Sequence, residues 1–107
     1  MPAIYQNLYL EQGATYNNTI TIKGDYDLNG NGESQIRDSY YAANTRASFD
    51  VTVDQANNKV NLQMSANVTA NVAPGRYVYD VIITDSTNNV ITRILEGVIS
   101  VSPSVTR

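Results

Sequence analysis

The sequence predicts an all-β fold: a single antiparallel β-sandwich of about seven strands, in one domain covering residues 1–107. Three observations lead there. A length of 107 residues suits one hydrophobic core. Charged residues make up only 16% of the chain, and 13 Asn, 10 Thr and 8 Ser fill the gap, as suits a chain of strands and turns. Apolar and polar side chains alternate with period two in one segment after another, separated by turns at the spacing typical of sandwiches.

The elements follow in order. Residues 4–10 and 16–23 read as two strands around a Glu11-Gln12-Gly13 turn, and residues 35–40 as a shorter one. In residues 48–54, Phe49, Val51 and Val53 face one way while Ser48, Asp50, Thr52 and Asp54 face the other. A polar loop through Asn57-Asn58 then leads to alternating Val60, Leu62 and Met64, which completes a hairpin. Residues 66–74 suggest one helical turn, with Val68 and Val72 four apart. Tyr77, Tyr79, Val81 and Ile83 form the inward row of the next strand. A turn at residues 85–89 leads to a long return strand over residues 90–101. Gly97 in that strand suggests a kink or bulge at Glu96-Gly97.

Pro74-Gly75-Arg76-Tyr77-Val78-Tyr79 resembles the tyrosine-corner entry to the penultimate strand of immunoglobulin-like domains. Tyr79 stands where such a domain carries its second cysteine. The alternative is that both tyrosines are ordinary strand residues.

The absent residue types exclude most chemistry. The chain has no Cys and no His, hence no disulfide, thiolate nucleophile, ordinary zinc site or imidazole base. Asp25, Asp27, Glu33 and Asp38 cluster in sequence, but acids in a Gly/Asn-rich loop are usually solvated, so the chain reads as no enzyme and as using no cofactor. Asp80 and Glu96 are expected to pair with Arg76 or Arg93. A net charge of −3 with scattered basic residues argues against nucleic acid. No apolar run reaches the roughly 20 residues of a spanning helix, and the N-terminal residues do not read as a secretory signal. The expectation is therefore no membrane and synthesis in a cytoplasm. Sequons at Asn17 and Asn67 are then accidents of an Asn-rich chain.

Two constellations remain. Asp27, Asn29 and Asn31 occupy positions one, three and five of a calcium-loop pattern, with Gly32 at six and Asp38 at twelve. Against it stand the short Asp38, the two neutral Asn and the lack of flanking helices. The preferred reading is an Asn-Gly turn, with no metal. The second constellation is tyrosine: Tyr5, Tyr9, Tyr26, Tyr40 and Tyr41 are interface candidates, since an amphipathic ring suits a half-wet contact.

The segments Ile36-Arg37-Asp38-Ser39-Tyr40, Ala47-Ser48-Phe49-Asp50-Val51, Pro74-Gly75-Arg76-Tyr77-Val78-Tyr79-Asp80 and Leu95-Glu96-Gly97-Val98-Ile99-Ser100-Val101 occur in that order. Together they resemble small β-sandwich virion proteins of tailed bacteriophages, of the marine and cyanobacterial type. They are also similar to domains at tail-fibre connectors and baseplates. The resemblance covers roughly residues 16–107; the Asp27–Gly32 loop departs from it by being longer and richer in Asn-Gly.

The resemblance implies a structural protein of the tail, baseplate, fibre attachment or capsid surface, residing in the virion after a host-cytoplasmic stage. Its partners would be other virion proteins, with self-association or exchange of arms at residues 1–10 and 103–107. The alternative is a stand-alone carbohydrate or cell-surface binding module.

Overall fold

The computed structural model describes residues 3–24, 28–39, 46–85, 87 and 89–103. Eight strands form: β1 (Ile4–Tyr5), β2 (Leu8–Glu11), β3 (Tyr16–Thr21), β4 (Asn31–Arg37), β5 (Ala47–Asp54), β6 (Lys59–Met64), β7 (Gly75–Asp85) and β8 (Val90–Ser102). One short helix, α1 (Ala66–Ala70), joins β6 to β7. The larger sheet runs from β1 and β2, in line along one edge of β8, through β8, β7 and β4 to the start of β5. The smaller sheet is β3, β6 and the rest of β5.

β5 belongs to both layers. Ala47, Ser48 and Phe49 pair with Ile36, Gln35 and Ser34 of β4. From Asp50 to Asp54 the strand pairs with β6 instead. Val51 and Val53 then lie over Gly32, where an added Cβ would stand 3.1 Å from the Cβ of Val51, so glycine lets the two layers close at this corner.

The alternation read from sequence sets the core. Phe49, Val60, Leu62, Met64, Tyr79, Val81 and Ile83 are buried between the layers. Tyr16, Phe49 and Tyr79 form an aromatic line, with ring centroids 5.4 Å and 6.5 Å apart, the second pair edge-on. The Tyr77 hydroxyl donates to the Ala73 carbonyl four residues back, which is the tyrosine corner. Tyr79 is buried where a disulfide would otherwise stand, and its hydroxyl donates to the Gln6 carbonyl.

Three expectations need correction. Residues 4–10 do extend, but with no hairpin to β3: β1 and β2 pair parallel with β8 in one continuous register, Ile4 with Leu95 and Leu8 with Ile99. The sandwich is therefore not purely antiparallel, and the interruption at Gln6-Asn7 brings the strands to eight. Secondly, residues 4–10 are no free arm, because Leu8 and Leu10 are buried in the core. Residues 104–107 of the other expected arm lie outside the described residues, but β8 does stop at Ser102, just before Pro103.

Thirdly, the bulge is not at Gly97. Val81 pairs with Leu95 and Ile82 with Arg93, which leaves Ile94 as the extra residue. Gly97 serves a close approach instead: a Cβ there would lie 2.8 Å from the Gln6 carbonyl carbon. The expected helical turn does form as α1, capped by the Ser65 side chain; Val72 just beyond it is buried, Val68 is 40% exposed, and the buried helical residue is Thr69. The Thr69 hydroxyl accepts from Gly13 N–H at 3.1 Å and donates to the Ala14 carbonyl at 2.8 Å, pinning the crossover to the β2–β3 turn.

Candidate functional site: the outer face of the larger sheet

The calcium-loop candidates do not converge. β4 runs through the second half of the pattern, so Asn31 and Asp38 stand at opposite ends of a strand, about 23 Å apart at 3.3 Å per residue. Asn29 donates to Asp85 Oδ2 at 3.3 Å. Asp38 accepts two bonds from Arg46, at 2.9 and 2.8 Å, and the guanidinium holds its carboxyl below the usual aspartate value. Asp27 lies outside the described residues, as do Asp25, Tyr26, Tyr40 and Tyr41. Among the described residues, no three His, Cys, Asp or Glu group as metal ligands would.

Tyr5 and Tyr9 do stand out, 60% and 73% exposed. Their register places them on the outer face of the larger sheet, Tyr5 beside Glu96 and Tyr9 beside Ser100. Cross-strand rows build that face from β4, β7 and β8: Arg37, Val78 and Val98; then Gln35, Asp80 and Glu96; then Glu33, Ile82 and Arg93.

The bulge at Ile94 arranges the middle of this face. In a regular strand, Arg93 and Glu96 are three apart and would point to opposite sides. The extra residue turns Ile94 and Leu95 both inward and leaves Arg93 and Glu96 both outward. Arg93 then reaches Asp80 at 3.4 Å and Glu96 at 3.8 Å. With Arg93 more than half exposed, these pairs contribute only about 0–1 kcal/mol to stability. Arg93, Asp80 and Ile82, with Glu33, Gln35 and Arg37, border a shallow groove of about 490 Å³.

The two outer faces differ in chemistry. On the smaller sheet, β3 turns Asn17, Thr19 and Thr21 outward beside Gln63, Asn61 and Lys59 of β6. Asp50, Thr52 and Asp54 of β5 continue those rows, so no apolar side chain appears. Asn61 Nδ2 lies 2.7 Å from Asn17 Oδ1 and 2.9 Å from Thr19 Oγ1, tying the rows together. The larger sheet instead shows Val78, Ile82, Val98 and, toward the β7–β8 turn, Ile91 at 69% exposure.

Sequence reasoning missed Val78, Ile82 and Val98 as site residues. The available signal was that Val78 and Ile82 interrupt the polar row Arg76, Asp80 and Thr84 on the outward parity of β7.

The sequence matches no protein-family model and no curated protein sequence. Solved structures share the fold. InlP of Listeria monocytogenes superposes with a TM-score of 0.51 at 12% identity, over 94% of this chain and 28% of InlP. The NK cell receptor NKp44 gives the same score and identity over 94% of this chain and 100% of its own. The chain thus spans about a quarter of InlP and the whole of the NKp44 chain. At this identity the likeness is one of fold: the chain is an immunoglobulin-like β-sandwich.

Proposed function

We propose that the chain is a non-catalytic structural protein of a tailed-bacteriophage particle. It serves as an adaptor at the tail, baseplate or fibre attachment, or as a decoration protein on the capsid. It works through protein–protein contacts, without a cofactor, and passes from the host cytoplasm into the virion. The family resemblance supplies the setting. The observation that carries the contact role is the asymmetry of the faces among the described residues: Val78, Ile82, Val98 and Ile91, flanked by Tyr5 and Tyr9, stand outward on the larger sheet, whereas the outward rows of the smaller sheet are polar. Tyrosine and arginine are enriched at protein interfaces, and neighbouring exposed apolar side chains mark such surfaces.

Mass spectrometry of purified virions tests the reading. Peptides of this chain are expected in the particles, and a particle reconstruction would show the larger sheet against its neighbour. The Ile82→Lys variant, altered only on the outer face, is expected to fold and to be lost from particles. Absence of the unaltered chain from virions overturns the proposal.

A stand-alone carbohydrate or cell-surface binding module is the second reading, favoured by the exposed rings of Tyr5 and Tyr9, on which a sugar can stack. A glycan array with and without calcium distinguishes it: binding that Tyr5→Ala and Tyr9→Ala abolish would put it first.

A further inference from the structure

A second surface, separate from the outer face of the larger sheet, follows from the pairing of the N-terminal segment. Because β1 and β2 both join β8, among the described residues no strand pairs with the side of β3 away from β6. β3 is thus an edge strand with a row of backbone donors and acceptors free for another strand.

The other sheet edges are guarded and this one is not. The edge formed by β1 and β2 is interrupted at Gln6-Asn7 and carries Glu11. The opposite edge of the larger sheet bends away as β5 crosses between layers. The far edge of the smaller sheet, the second half of β5, carries Asp50 and Asp54. β3 reads Tyr-Asn-Asn-Thr-Ile-Thr: six residues with no charge, no proline and no glycine, and its ladder to β6 is unbroken from Tyr16–Met64 to Thr21–Lys59. A straight, uncharged, β-branched edge of this kind is a template for strand addition.

We infer that β3 pairs antiparallel with β3 of a second copy of this chain, joining the two smaller sheets into one six-stranded sheet across a two-fold axis. The strand is complementary to itself. Residues directly opposite must share a face, which restricts the register to those that keep Tyr16, Asn18 and Ile20 on the core side. Centred on Asn18, the pairing sets Tyr16 opposite the second copy's Ile20, an aromatic with a β-branched side chain. On the outer side it sets Asn17 opposite the second copy's Thr19, extending the row already tied by Asn61. No like charges meet, since β3 has none. The closed, isologous contact uses up the edge and stops at two copies.

Sedimentation of the purified chain, run to roughly 0.5 mM because contacts of this size fall in the weak class, is expected to show a reversible monomer–dimer equilibrium. Thr19→Lys leaves the core untouched, puts a charge at the middle of the edge, and is expected to raise the dimer Kd roughly tenfold or more. The chain has no cysteine, so Asn18→Cys introduces a single thiol. Directly opposed residues lie about 4.5–5.5 Å apart at Cα, within disulfide reach, and oxidation is expected to give a covalent dimer. Thr21→Cys, which this register separates from its counterpart by about 20 Å, is expected to give no covalent dimer. A strictly monomeric parent overturns the inference. So does a dimer that Thr19→Lys leaves unchanged, or cross-linking at position 21 equal to that at position 18.

Discussion

The contact between Gly97 and the Gln6-Asn7 interruption can be tested by one methyl group. In Gly97→Ala the new Cβ would stand 2.8 Å from the Gln6 carbonyl carbon and 3.3 Å from its nitrogen. Ordinary contact is about 3.5–4.0 Å, and backbone cannot rotate aside as a side chain can, so the N-terminal segment has to withdraw by about 1 Å. Two hydrogen bonds cross that gap: Gln6 N–H to the Glu96 carbonyl at 2.8 Å, and the Tyr79 hydroxyl to the Gln6 carbonyl. Each is worth about 0.5–1.5 kcal/mol net, and a buried hydroxyl left unpaired adds about 1–3 kcal/mol. The expected loss is therefore about 2–6 kcal/mol, or about 10–25 °C in melting temperature for a domain of this size. Thermal and urea unfolding read it directly. Tyr79→Phe alone is expected to cost about 1–2 kcal/mol, but in the Gly97→Ala background, where its bond is already broken, it removes the unpaired hydroxyl and is expected to recover about 1–3 kcal/mol. If Gly97→Ala melts with the parent, or the two changes add in full, Gln6 is not held as described.

Three further outcomes are expected. Val81→Asp buries an unpaired carboxylate at a fully enclosed site and is expected to unfold the domain, costing several kcal/mol of a total of about 5–15 kcal/mol, whereas Thr84→Asp changes the urea midpoint little. Deleting residues 1–10 is expected to destabilise the isolated domain severely in circular dichroism melts, since Leu8 and Leu10 each contribute about 1.5–3 kcal/mol by burial. Burial holds the Tyr79 hydroxyl well above the usual tyrosine value, and Tyr16 is shifted the same way, so the folded chain keeps protons that the unfolded chain releases near pH 10. That contribution is complete below about pH 10 and is lost above it; urea midpoints are expected to fall through that range, and less steeply in Tyr79→Phe.

Where a strand's partner lies next in sequence, alternation was enough to read it. The β5–β6 hairpin follows from Phe49, Val51 and Val53 facing Val60 and Leu62, and the facing of β7 from Tyr79 and Val81. The N-terminal segment misled because its own pattern is right while its partner is remote: Leu8 and Leu10 alternate equally well toward β3 or toward β8. Only the long free edge of β8, with Gly97 open to Gln6, decides between them. The bulge was signalled by the apolar doublet Ile94-Leu95, which breaks period two, rather than by the more conspicuous glycine. The cluster of Arg93, Asp80 and Glu96 depends on that bulge, and no spacing argument brings its members together without it. The calcium-loop spacing was a match of residue types alone, because residues 27–38 are not one loop: the alternation through Ser34 and Ile36 marks a strand.

The parallel pairing of β1 and β2 with β8 also decides how the domain bears load. Pulling the chain from residue 4 and from residue 102 drives the paired strands past each other along their length. The bonds from Ile4 to Glu11 are then strained together in shear, whereas a hairpin at that edge would open one bond at a time. Tyr79 and Gly97 lock the middle of the segment against the slide. A tether running through both ends would thus meet its greatest resistance at the first contact to break, with the core still closed behind it.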